Sequence, residues 1–140
     1  MTGSATAVEV PAPAAGYQFG PGDVTLFAER IDGDRGSYPL AAATFVDELT
    51  AEGIDAQPWH DLDHSDWYGE RDPILVTLIL GIATNAAWDA IKLLLGRRRG
   101  GQVKLVAGFQ RGDEVRWIQA EGDAAAVADA IDRLNPFDGP

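Results

Sequence analysis

The segment His60-Asp61-Leu62-Asp63-His64-Ser65-Asp66 gathers both histidines of the chain and three carboxylates within seven residues. Imidazole and carboxylate are ligand types for Zn, Mn or Fe, and a His pair spaced i, i+4 shares one face of a helix. His60, Asp61, Asp63, His64 and Asp66 are therefore the candidate metal ligands, and a metal-dependent hydrolase is the enzymatic reading they allow. The segment lacks helical periodicity, however, and closely spaced ligands in a loop seldom close a cage by themselves, so a solvated acidic loop accounts for the same residues. Trp59, Trp67 and Tyr68 flank the cluster. Aromatic side chains among acids have the composition of a partner-binding hot spot, and they also serve to tack a loop onto a core.

Other chemistries find less support. The chain has no cysteine, which removes disulfides, thiolate metal sites and cysteine nucleophiles together. Its serines are Ser4, Ser37 and Ser65. Ser65 lies beside His64, but neighbours on an extended chain point to opposite sides, so no activated pair follows. Neither a nucleophile elbow nor a phosphate-binding glycine loop is present. Asp89, set in an apolar stretch, is the one carboxylate whose setting could perturb its titration, and Lys92 at i+3 offers it an ordinary ion pair. We expect no catalytic residue and no cofactor.

Charge sharpens this. The 140 residues carry 22 acids and 11 bases, a net charge of −11. Residues 1–73 hold fourteen acids and three bases, whereas residues 74–140 hold eight of each. Segment 47–72 is the acidic focus and 92–116 the basic one, with Arg97-Arg98-Arg99 at its centre. Broad nucleic-acid binding, which needs a cationic surface, is excluded for the molecule as a whole. The polarity implies either two surfaces for different partners or attraction between the halves, within one chain or between copies in a homo-oligomer. We expect the acidic helix end and loop to form one face, with the Arg-bearing helix terminus elsewhere.

The elements that must position these groups follow from periodicity. Residues 1–21, rich in Ala, Pro and Gly, read as a flexible arm, with Tyr17 and Phe19 able to dock on the body. No cationic start and apolar core resemble a secretory leader, so the chain reads as cytoplasmic. Residues 22–135 read as a single α+β domain and 136–140 as a tail. A strand over 24–29 places Val24, Leu26 and Ala28 on one face and Phe27 on the other. Asp32-Gly33-Asp34-Arg35-Gly36 reads as a turn and Ser37 as the cap of a helix that buries Leu40, Ala43, Phe45 or Val46, and Leu49, ending at Gly53. A short strand over 54–59, a hairpin formed by 103–110 and 115–120, and a last helix over 124–134 complete the set. The order is β-α-β-α-β-β-α: a small mixed or antiparallel sheet of about four strands packed against three helices.

Between Ile74 and Trp88 lie fifteen residues without a charge. Helical, they span about 22 Å, short of a hydrocarbon core of about 30 Å, and a longer span would carry Asp89 into the bilayer. A membrane-active subunit inserting 74–95 is thus disfavoured. The spacing of Thr77, Gly81, Thr84, Trp88 and Lys92 predicts one central buried helix over 74–95. A second reading divides it into a buried strand over 74–80, a break at Gly81 and a shorter helix from Thr84.

The apolar segment ending in Leu93-Leu94-Leu95-Gly96, the basic run Arg97-Arg98-Arg99, the strand Val103-Lys104-Leu105-Val106, a hairpin and an Ala-rich terminal helix follow in an order that resembles the effector-associated constant component family. These are small accessory domains encoded in multi-gene conflict systems of actinobacteria. The resemblance covers about 24–134 and is one of pattern. It implies a non-enzymatic adaptor of a bacterial defence system that binds a protein effector or regulator, and it carries no catalytic residues. Trp59, Trp67, Tyr68, Arg97, Arg98 and Arg99 are the candidate partner-binding residues.

Overall fold

A computed structural model describes residues 5–13, 18–69, 75–97, 101–134 and 136–137. Among them run β1 (Val8–Glu9), β2 (Val24–Phe27), β3 (Arg30–Asp32), β4 (Arg35–Pro39), α1 (Leu40–Ala51), β5 (Ala56–Pro58), a 3-10 turn (Leu62–His64), β6 (Ser65–Tyr68), β7 (Leu75–Ile82), α2 (Asn85–Arg97), β8 (Gln102–Arg111), β9 (Glu114–Asp123) and α3 (Ala124–Asp132). The α+β class with three helices holds. The expected sheet of about four strands in the order β-α-β-α-β-β-α does not: the described residues form a six-stranded sheet, β1-β9-β8-β7-β2-β5, and a three-stranded sheet, β3-β4-β6. Apart from β7, the extra strands are short and mostly polar, so no apolar alternation announces them.

The large sheet is mixed. β7 runs parallel to β8, and β2 parallel to β5, each pair joined through a helix. β2 and β7 are antiparallel, as are β8 and β9. One face packs under the three helices: Val24 and Leu26 of β2, Leu78, Leu80 and Ile82 of β7, and Leu105 and Phe109 of β8 share a core with Phe45, Leu49, Ile91, Leu95, Val127 and Ile131. Phe27, Ile79, Val106 and Trp117 form a second cluster on the other face, with Val10 and Phe19 of the N-terminal segment packed on it. Phe19 thus docks as expected; Tyr17 lies outside the described residues.

The segment read as one helix over 74–95 is strand β7 followed by α2, the strand-then-helix division of the second reading, except that the strand runs on through Gly81 to Ile82 with no break there. β7 is central and covered on both faces, so its side chains are apolar whichever way they point, and alternation disappears. α2 starts where Thr84 Oγ1 accepts the Ala87 N–H at 3.1 Å, a side-chain N-cap. Gly81 is no helix break. A Cβ there would lie within 2.9 Å of the Phe19 and Phe27 rings, so the missing side chain makes room for two aromatics on the sheet. Gly108 does the same for Trp117.

α1 begins after Pro39, which occupies the N-cap position in an extended conformation; Ser37 belongs to β4 and caps nothing. Leu40 is 54% exposed, while Ala42, Phe45, Val46 and Leu49 are buried. The C-terminus is closed as expected. Gly53, at φ 84°, donates to Thr50 O and Ile54 N–H donates to Leu49 O, both at 3.0 Å.

Candidate functional site

The 60–68 segment is pinned against β4. Asp32 faces Arg35 across the tight Gly33-Asp34 turn, Gly33 having φ 62°, and β4 then runs parallel to β6 with Tyr38 beside Trp67. Alternation along β6 sends Trp67 inward and Asp66 and Tyr68 outward. The fully buried Tyr38 ring stacks on Trp67 at 4.9 Å between centroids. Its hydroxyl accepts the His60 backbone N–H at 3.0 Å and shares a 2.6 Å hydrogen bond with His60 Nδ1. Gly36 clears the space for that ring, because a Cβ there would lie 2.3 Å from His60 Nδ1.

Four of the five candidate metal ligands have a side-chain partner, and Asp63 is held through its backbone carbonyl. His64 Nδ1 meets Asp61 Oδ1 at 2.6 Å and its Nε2 lies 3.3 Å from Asp34 Oδ2. Arg35 grips both oxygens of Asp66, at 2.6 and 3.1 Å, and donates to the Asp63 carbonyl at 3.0 Å. His60 turns to Tyr38 instead of joining His64. Among the described residues no group of three or more histidine or carboxylate side chains is placed to hold a metal ion. The 3-10 turn followed by a strand separates side chains that are neighbours in sequence, so residue types at close spacing did not become a donor set.

The two imidazoles differ electrostatically. Burial pushes His60 below the ordinary histidine value, and the charge on His64 adds to it. The Asp61 hydrogen bond raises His64, and the same bond lowers Asp61. The Arg35 hydrogen bond holds Asp66 below the usual carboxylate range. The hydrogen bonds behind these shifts tie the loop to β4 through Arg35 and brace its 3-10 turn through His64 and Asp61.

The same scaffold walls a cleft of about 480 Å³. Gly20-Pro21-Gly22 and Thr25 form one side; Gln57, Pro58, Trp59, His60, Asp61, Ser65 and Trp67 form the other. Thr25 is buried, and its Oγ1 accepts the Gly20 N–H at 2.8 Å, tying the N-terminal side down. Trp59 is held by its backbone N–H, which donates to Leu26 O at 2.8 Å, and by packing on Phe27 at 5.7 Å. It remains 37% exposed. Of the residues expected to bind a partner, Trp59 and Trp67 thus meet at one cleft, while Tyr68 lies on the opposite side of β6. Tyr38 and Gly36, which set the geometry, were not singled out in the sequence; a Gly-x-Tyr inside a polar turn carries little signal.

Arg97 ends α2 and lies 3.3 Å from Glu52, at the end of α1. This contact corrects the expectation that the arginine terminus stands apart from the acidic helix end; the two halves of the chain attract each other there, and again where Arg116 pairs with Glu9. Arg98 and Arg99 lie outside the described residues. Asp89 has the ordinary ion pair foreseen for it, with Lys92 Nζ at 3.3 Å. Lys92 also reaches Asp132 at 3.1 Å, to which the Trp88 indole N–H donates at 3.0 Å. None of the helices among the described residues is long and apolar enough to cross a membrane. Comparison with known protein families, curated proteins and solved structures finds no match for this chain.

Proposed function

We propose that this chain is a non-enzymatic protein-interaction domain, an adaptor that takes a segment of a protein partner into the Trp59–Trp67 cleft. The observation that carries the reading is the cleft itself: Trp67, stacked on the buried Tyr38 ring, and Trp59, tied by its backbone N–H to Leu26 and packed on Phe27, at the walls of a concavity of about 480 Å³. Rigid, partly exposed aromatics flanked by polar groups are the usual anchors of binding energy at interfaces. Residues 18–69 hold eleven acids and two bases, so the field around the cleft favours a cationic partner surface and speeds its approach. The resemblance to the effector-associated constant component family supports the setting, a cytoplasmic accessory component of a bacterial defence system whose partner is an effector or regulator of the same system.

The test is cross-linking and mass spectrometry on the tagged full chain in its native host, with Trp59→Ala and Trp67→Ala alongside. A protein enriched with the wild type and reduced roughly 30-fold in affinity by Trp59→Ala matches an anchor worth about 2 kcal/mol. Added salt should weaken the complex further. Undiminished capture by both folded variants overturns the cleft as the binding site.

A further inference from the structure

A second docking surface lies at the far edge of the large sheet, independent of the tryptophan cleft. β9 is ten residues long. Among the described residues, β1 covers its outer edge through Val8 opposite Gln119 and Glu9 opposite Ile118, extended by the Val10 N–H donating to Trp117 O at 3.0 Å. So short a ladder is marginal by itself. Strand alternation places Val10 on the aromatic cluster that contains Trp117 and sends Glu9 to the opposite face, where it pairs with Arg116. Arg116 also donates to Leu134 O at 2.8 Å, so the residues just after α3 give its guanidinium a second hold besides the arm.

The arm covers this edge without filling it. Clefts of about 510 and about 480 Å³ flank residues 10–13. The first runs along Arg111 and Val115, the second over Ile79, Lys104 and Val106. Glu114 lines the first cleft beside Arg111 and Arg116, and Glu29 the second beside Lys104, so the cleft linings are mixed in charge. What fits is set by the resident arm: an extended segment whose carboxylate takes the place of Glu9 on Arg116 and whose aliphatic neighbour takes the place of Val10 on the aromatic cluster.

We propose that the β9 edge is the docking site for an extended segment of a protein partner, added antiparallel to β9, with an acidic side chain on Arg116 and a branched aliphatic residue on the Trp117 cluster. Val8-Glu9-Val10 is the resident competitor that holds the site in the free chain. Because the competitor is tethered, it acts at an effective concentration on the order of millimolar, and weak partners are excluded. The edge asks for one carboxylate, at the Arg116 position, whereas the tryptophan cleft favours a cationic partner.

The experiment uses the full chain and a fluorescein-labelled peptide with the sequence of residues 5–13, read by anisotropy. Val10→Asp unseats the arm and should raise peptide affinity about tenfold or more over the wild type, as expected from removing a tethered competitor. Glu9→Lys, which breaks only the exposed ion pair, should act in the same direction and decides the matter if Val10→Asp lowers the melting temperature severely. Adding Arg116→Glu should abolish binding of the natural peptide and restore it for a peptide carrying Arg in place of Glu9. Peptide affinity equal to wild type in the folded arm variants, or indifferent to Arg116→Glu, overturns the proposal.

Discussion

Replacing Tyr38 by Phe isolates the hydroxyl that ties the cleft wall to β4. The ring is fully buried and stacked on Trp67, so Phe keeps the packing and opens no cavity of consequence. What disappears is the acceptor of the His60 N–H at 3.0 Å and the partner of His60 Nδ1 at 2.6 Å. A buried donor left without its acceptor costs about 1–3 kcal/mol. His60 is only part-buried and borders the open cleft, so water can satisfy it in part, and a loss of about 1–2 kcal/mol is expected. At roughly 2.1 cal/mol/K per residue, that lowers the melting temperature of a chain this long by about 3–7 °C. Urea unfolding followed by tryptophan fluorescence gives the free energy, and the indole N–H resonances of Trp59 and Trp67 report the loop. A stability within about 0.5 kcal/mol of wild type, the range of an ordinary surface change, together with unmoved indole resonances, would refute the account of how the cleft is held.

Two further outcomes follow from the geometry. Gly108→Ala places a Cβ 2.9 Å from three ring carbons of Trp117, a rigid group at the adjoining register position, so overpacking of about 1–3 kcal/mol and an altered near-ultraviolet dichroism are expected; an unchanged spectrum and melting curve would show the ring free to move aside. In an NMR titration, His64 should hold its proton above the ordinary value of 6.5 and His60 should lose its proton below it. His64 therefore contributes stability that is complete below its unfolded value and is lost as pH rises through its raised folded value. His60 contributes stability present above its unfolded value and lost as pH falls through its lowered folded one. A single shared transition at the ordinary value would contradict both environments.

The helices show how far local pattern carries. α1 and α3 were legible because their apolar residues recur at helical spacing and Gly53 marks a stop that backbone chemistry requires. The β8–β9 hairpin was legible because two alternating runs flank the Gly112-Asp113 turn, Gly112 having φ 62°. β7 was harder. Its β-branched residues (Val76, Thr77, Ile79 and Ile82) were strand signals, but a strand covered on both faces has no polar side to reveal its period of two. The 30–39 and 65–68 strands were missed for the opposite reason, being too short and too polar to show any apolar period.

The site divides along the same line. Residue types in 59–68 pointed to a place of interest, and composition separated the acidic first half from the balanced second half. Sequence by itself determined which groups were available, the hairpin, the first and last helices with the Gly53 stop, and the overall polarity, because those depend on neighbours within a few residues. Only the tertiary structure decided that His60 turns to Tyr38 while His64 turns to Asp61 and Asp34, that Trp59 and Trp67 share a cleft, and that Arg97 meets Glu52. The His60–Tyr38, His64–Asp34 and Arg97–Glu52 pairs lie 22 to 45 residues apart along the chain, and only the His64–Asp61 bond is local, at i, i+3. The register of β4 on β6 and the meeting of the α1 and α2 ends set the distant ones.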